Sequence, residues 1–182
     1  MEGLTQEQIR KEAQELYRAE KDKIVLRPFT EKYPKIAPEE SYRIQLSLIE
    51  MKKADGAKVV GKKIGLTSKA MQKMLNVDQP DYGHILDNMV LPDAAVFLAG
   101  ELIQPKIEPE IAFILDRELT GPGVTPTQVL AATRFVLPAL EIIDSRIEGW
   151  KIKLCDTIAD NASSARVVLG TRQSASRSST SS

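Results

Sequence analysis

The period of the apolar residues changes several times along this chain, and each change predicts an element. Ile9, Ala13, Leu16 and Tyr17 recur at helical spacing behind Thr5, which with Gln8 makes a capping box, so an amphipathic helix runs to about Lys21. Prolines at 28 and 34 interrupt the pattern. Pro38 then stands where a first helical turn tolerates it, Tyr42, Leu46 and Ile49 mark one buried stripe, and Asp55-Gly56 ends the second helix. Two helices thus precede any sheet. Over residues 58–67 the period falls to two, with Val60 and Ile64 on one face and Val59, Gly61, Lys63 and Gly65 on the other. Ser68 can cap a short helix carrying Ala70, Met71, Met74 and Leu75, and residues 79–83 (QPDYG) predict a turn with an exposed carboxylate, Asp81. A strand over 105–115 follows. Gly121-Pro122-Gly123 is a loop, and Thr125-Pro126 opens a helix through Val129, Leu130 and Ala132. Residues 135–144 form a largely apolar strand, residues 150–154 alternate like another, residues 160–164 are a polar turn, and residues 167–169 a short strand ending at Gly170. The tail, 172–182 (RQSASRSSTSS), cannot bury itself and is expected to be disordered.

Composition narrows the partners. The 182 residues suffice for one domain with a sizeable core plus a helical annex. Lys and Arg total 25, as do Asp and Glu, so there is neither a nucleic-acid footprint nor a polybasic membrane patch; small molecules or protein partners fit better. Cys155, the only cysteine, excludes an internal disulfide and a cysteine zinc cluster and suits a reducing cytoplasm. Neither a signal peptide nor a membrane-length apolar run is recognisable, so a soluble protein is expected.

The chemistry concentrates in the strand over 105–115 (PKIEPEIAFIL). Glu108 and Glu110 stand two apart and project from one face, where like charges repel unless a cation lies between them or one holds a proton. A hard divalent cation such as Mg2+ is the simplest answer; a solvated edge strand with both glutamates in water is the bland one. Glu141 lies inside an apolar strand and wants a cation or donors, which makes it the natural third ligand, while Arg146 is expected to satisfy Asp144 as a structural ion pair. Lys63, between two glycines that clear space beside it, is a candidate active-site cation; the competing picture puts it on a wet strand face with Lys62 inward or snorkelling. His84, the only histidine, has no nucleophile or orienting partner to make a triad.

Six blocks in order, GKKIGLTSKAMQ (61–72), QPDYG (79–83), QPKIEPEIAFIL (104–115), GPGVT (121–125), PALEIIDSRI (138–147) and DTIADNAS (156–163), resemble the 2-oxopent-4-enoate (2-hydroxypenta-2,4-dienoate) hydratases and their relatives the 4-oxalocrotonate decarboxylases, within the fumarylacetoacetate hydrolase superfamily. The resemblance implies an α+β fold: an N-terminal helical region (1–57) followed by a mixed β-roll or barrel of the fumarylacetoacetate hydrolase type (58–171), then the serine-rich tail (172–182). It implies Mg2+ or Mn2+ held by Glu108, Glu110 and Glu141, and Lys63 as the acid/base or substrate-orienting group. Asp81 carries over as a second catalytic residue, and Leu66 and Ser163 as substrate-binding residues. The expected activity is hydration of 2-hydroxypenta-2,4-dienoate to 4-hydroxy-2-oxopentanoate in aromatic meta-cleavage catabolism. Decarboxylation of 4-oxalocrotonate, or a truncated non-catalytic subunit, are the alternatives. The resemblance further implies a homo-oligomer, possible association with a sister enzyme, and a cytoplasmic location. Family members continue past the DNAS block, so a C-terminally truncated barrel with an uncovered apolar face is expected. C-C bond hydrolysis is disfavoured, since no His-Glu pair stands out to activate water.

Overall fold

A computed structural model describes residues 3–74, 77–98, 100–171 and 174–175. Helix α1, Gln6–Asp22, starts at Thr5, whose hydroxyl accepts the Gln8 N–H while the Gln8 side chain accepts the Thr5 N–H, so the capping box forms as the sequence requires. Helix α3, Pro38–Ala54, begins on its proline, and Glu40 caps it by accepting the Ala37 N–H at 2.9 Å. Between them lies a single-turn helix, α2, Phe29–Lys32, too short to leave a periodic trace. Ile9, Ala13 and Leu16 of α1 pack on Ile44 and Leu48 of α3, and the cluster is completed by Phe29, Ile147 and Ala159. Each of the larger apolar side chains contributes about 1.5–3 kcal/mol on burial, and Ile147, with Ala159 beside it, fastens the far end of the described chain to the N-terminal helices.

Strand β1, Val59–Gly65, pairs antiparallel with β2, Asp81–Leu86, placing Lys63 opposite Gly83 and Gly65 opposite Asp81. Helix α4, Lys69–Met74, connects them, and Gln72 on it ties back to the Leu66 carbonyl at 2.8 Å; Leu75 and the side chains of Met71 and Met74 lie outside the described residues. The second sheet contains β3, Val90–Leu91, β4, Lys106–Leu115, β5, Thr133–Ile143, β6, Ser164–Leu169 and β7, Ser174–Ala175. Its order is β3-β6-β5-β4 with β7 also on β5, parallel only between β3 and β6, so the fold is α+β with a mixed sheet. Helix α5, Pro126–Ala132, leads into β5 behind a Thr125 capping box. Ile107, Ile111 and Phe113 of β4 and Leu140 of β5 are exposed on one face of this sheet. Among the described residues no helix is long and apolar enough to cross a membrane.

Two expectations are corrected. Residues 79–83 are not a turn with an exposed carboxylate: Asp81 opens β2 and is buried, because Gly65 opposite it leaves room and Lys63 supplies a compensating charge. Residues 150–154 are not a strand: a 3-10 turn, Glu148–Trp150, gives way to helix α6, Leu154–Ala159, capped by Asp156 accepting the Lys153 N–H at 2.9 Å. Five alternating residues suit a strand locally, but burial of Thr157, Ile158 and Ala159 on a helical turn prevails. Of the tail, Ser174 and Ala175 pair with Val136 and Phe135, and residues 172–173 and 176–182 lie outside the described residues.

Candidate active site

Antiparallel pairing of β4 with β5 sets Glu108 directly across from Glu141 and Glu110 across from Ala139, so the three glutamates share one face. One carboxylate oxygen from each lies within 4.8 Å of the others. Two oxygens on the same ion stand at most twice the bond length apart, roughly 4.2 Å for Mg2+ and roughly 5 Å for Ca2+. Oxygens so spaced are within reach of one such ion, at the wider end of that range, and an all-oxygen donor set suits a hard cation. Burial is graded across the three: Glu141 is buried, Glu108 half-buried and Glu110 exposed, so the cluster faces solvent at Glu110.

Lys63 projects from β1 into this cluster, and Lys62 rather than Lys63 takes the exposed face, its ammonium 5.5 Å from the Tyr82 ring. The Lys63 Nζ stands 3.3 Å from Glu141 Oε2 and donates to the Ala162 carbonyl at 3.0 Å. The other Glu141 oxygen accepts the Ser164 hydroxyl at 2.9 Å. Burial pushes the Glu141 carboxyl above the usual range, opposed by Lys63 and Ser164. Burial likewise pushes Asp81 up, opposed by Lys63 and by the Thr157 hydroxyl, 3.4 Å from Asp81 Oδ2. Gly65 is what lets Asp81 lie there: a Cβ at 65 would collide with the Asp81 carboxylate and stand 3.7 Å from the Lys63 ammonium.

The DNAS segment supplies the wall. Asn161, Ala162 and Ser163 all have left-handed backbones, each at a cost of roughly 1–2 kcal/mol for an L-residue. Ser163 is buried and its hydroxyl has no hydrogen-bond partner among the described residues. Leu66, half-buried directly after β1, is left-handed too. The structure thus brings together Lys63, Asp81, Glu108, Glu110 and Glu141, with Ser163 next to the residue that binds Lys63. Ser164, Thr157 and Asn161 escaped the sequence reading, because a serine, a threonine and an asparagine carry no signal until the strands they touch are placed.

Arg146 does not pair with Asp144. Its Nε meets Asp160 Oδ1 at 2.5 Å and its N–H meets Asp160 Oδ2 at 2.9 Å, in full burial, while the Asp144 carboxylate accepts the Ile103 and Gln104 N–H groups and anchors the approach to β4. Of Asp144 it is the carbonyl that the guanidinium meets, Nη1 donating to it at 2.5 Å, because the carboxylate is taken up by the two N–H groups. Burial pushes Asp160 up to about 6 against the opposing Arg146 charge, leaving it ionised at neutral pH. His84 is buried with Nδ1 2.9 Å from Gln45 Oε1. Since the Gln45 amide donates to the Tyr82 and Ile158 carbonyls, its oxygen faces the ring and Nδ1 carries the proton. Burial and Lys62 lower the imidazole to about 4, so His84 is a neutral structural group at physiological pH.

No family model matches the chain. A 2-hydroxyhexa-2,4-dienoate hydratase of Comamonas testosteroni is 51% identical over 164 residues, 89% of this chain and 62% of that protein. A 2-hydroxypent-2,4-dienoate hydratase of Pseudomonas putida is 50% identical over 157 residues, 86% of this chain and 71% of that protein. Among solved structures, 4-oxalocrotonate decarboxylase from Pseudomonas putida G7, complexed with magnesium and adipate, superposes with a TM-score of 0.91 at 36% identity, covering 96% of this chain and 66% of that one. The chain spans 62% of the length of the first of these hydratases and 71% of the second. On the strength of half its residues shared over most of its length, the chain belongs to the 2-hydroxypentadienoate (2-keto-4-pentenoate) hydratase family.

Proposed function

We propose that the chain is a metal-dependent hydratase that adds water to 2-hydroxypenta-2,4-dienoate to give 4-hydroxy-2-oxopentanoate, with Glu108, Glu110 and Glu141 holding Mg2+ (or Mn2+). The observation that carries this reading is the cross-strand placement of Glu108 opposite Glu141, with Glu110 beside them and the Lys63 ammonium 3.3 Å from Glu141. When bound, the dication supplies Lewis acidity to the carboxylate and 2-oxygen of a 2-oxo acid. Lys63 and Asp81 hold and move protons. The reaction needs the enol O–H proton to leave and C5 to gain one, after which water delivers hydroxyl to C4 and a proton to C3. Asp81, whose carboxyl burial raises, accepts and returns a proton beside Lys63, which donates. The unpaired Ser163 hydroxyl and the left-handed turn at Leu66 offer substrate contacts. The decarboxylase reading draws support from the superposition at 36% identity; identities of 50% and 51% with hydratases favour hydration.

The test is loss of dienoate ultraviolet absorbance by the purified chain in Mg2+, in chelator, and in Glu108→Gln, with circular dichroism as the control for folding. The variant is expected to lose on the order of 10²-fold or more, as loss of one ligand to a catalytic ion requires. Undiminished turnover in chelator or in the variant overturns the assignment, and CO2 release from oxalocrotonate without hydration transfers it to the decarboxylase.

A further inference from the structure

Asn161, Ala162 and Ser163 have φ of 53°, 51° and 54°, a run of left-handed residues that non-glycine chains rarely hold in succession. Such a run persists only where its surroundings over-determine it. The Asp144 N–H holds its far end by donating to the Ser163 carbonyl at 2.8 Å, and Asn161 holds its near end. Its side-chain oxygen accepts the His84 N–H at 2.7 Å and its amide donates to the His84 carbonyl at 2.9 Å, so one side chain occupies both polar groups of a β2 residue as a neighbouring strand would. Gly83, the residue before, permits the approach: a Cβ there would lie 2.5 Å from the Asn161 carbonyl oxygen. Asparagine is also among the residue types most often found in the left-handed region. What the turn delivers is the Ala162 carbonyl, 3.0 Å from the Lys63 Nζ.

We propose that Asn161 is a positioning residue: by clamping His84 it fixes the turn whose Ala162 carbonyl seats the Lys63 ammonium against Glu141. The inference rests on the reading of Lys63 as the acid/base group and deepens it. The Lys63 ammonium sits at the end of a flexible four-carbon stem, so a charge at Glu141 alone restrains its distance but not its direction; the carbonyl adds the second fixed point. That second point is held by hydrogen bonds rather than by charge, which keeps it independent of any ion at the glutamates.

Three variants separate positioning from simple support. Asn161→Ala removes both hydrogen bonds, Asn161→Gly removes both while relieving the backbone, and Asn161→Asp keeps only the acceptor for His84 N–H. Each is treated with a small acylating reagent, and the labelling of Lys63 is compared with that of exposed Lys62 by mass spectrometry, alongside kcat and KM. In the wild type Lys63, its side chain 9% exposed, is expected to be strongly protected relative to Lys62. In the alanine and glycine variants its labelling is expected to rise to within about twofold of Lys62 through local opening. Misplacement by about 1 Å should lower kcat on the order of 10²-fold, with KM within about threefold. Asn161→Asp falls between, and carries the test should the alanine variant not fold. An unchanged Lys63 to Lys62 ratio in the folded variants overturns the proposal, whatever their stability. Should the wild type fail to hydrate the dienoate, the hydratase reading falls while the labelling ratio still decides the role of Asn161.

Discussion

The Lys63–Glu141 pair lends itself to a double-mutant cycle whose size follows from the geometry. Both side chains are almost out of water, with 9% and 6% exposed, and their charged atoms are 3.3 Å apart. At an effective dielectric of about 20 the gross attraction is roughly 332/(20 × 3.3), or about 5 kcal/mol. Desolvation of the two groups offsets part of this, so a coupling of about 2–4 kcal/mol is expected. Lys63→Met should be the costlier single change, about 3–5 kcal/mol, because it leaves a buried carboxylate beside Glu108 with the Ser164 hydroxyl as its one side-chain donor among the described residues. Glu141→Gln should cost less, about 1–3 kcal/mol, since Lys63 keeps the Ala162 carbonyl and Asp81. The double variant should then be more stable than the sum of the single losses predicts. Urea unfolding at pH 7.5 in chelator measures all four corners, followed by far-ultraviolet circular dichroism and by the emission of Trp150, the only tryptophan. Additivity within about 0.5 kcal/mol would refute the reasoning, since it would mean that water screens the pair.

On the proposed reading, Ser164→Ala should weaken Mg2+ binding about 10–100-fold by calorimetry while leaving the circular dichroism spectrum unchanged, because the serine hydroxyl orients the Glu141 carboxylate. Gly65→Ala should abolish most dienoate turnover and cost about 1–3 kcal/mol of stability, the new Cβ forcing the Asp81 carboxylate aside; a fully active variant would show that Asp81 takes no part. His84 has a folded pKa of about 4 against 6.5 unfolded, so its contribution is whole above pH 6.5 and is lost as pH falls towards 4, about 2 kcal/mol by pH 5. Asp160, raised to about 6 from 3.8, contributes the opposite slope between those values in wild type and His84→Gln alike, so the difference between the two proteins isolates the histidine, and equal pH slopes would count against it.

What could be foreseen was what local spacing governs. The parity of a strand puts Glu108 and Glu110 on one face whatever lies across from them, and the same parity puts Lys63 between its glycines. Capping residues likewise located α1, α3 and α5 from a few side chains each. Asp81 was misplaced because Gln-Pro-Asp-Tyr-Gly is turn chemistry by every local rule, while the space that draws the carboxylate inward is vacated by Gly65, sixteen positions earlier on another strand. Arg146 failed similarly: Asp144 is near in sequence, but a buried guanidinium takes the carboxylate that can meet its fork, and Asp160 becomes available only once residues 150–154 are seen to lead into a helix. The resemblance to known hydratase motifs crossed these gaps by naming Asp81 and Glu141 together, which periodicity alone could not do.

The charge balance of the site joins these strands of reasoning. Among the described residues, Glu108, Glu110, Glu141 and Asp81 set four carboxylates around the Lys63 ammonium, and burial already pushes two of them towards protonation. A 2-oxo acid would add at least one more negative charge. On the proposed reading, a dication at the glutamates relieves both problems with one ion: it removes the repulsion among Glu108, Glu110 and Glu141, and it leaves Lys63 to serve Asp81 and the incoming acid. Lys63 is therefore expected to exchange partners as the site fills, which explains why its second anchor, the Ala162 carbonyl, is neutral and is held by a turn that no change of charge at the glutamates disturbs.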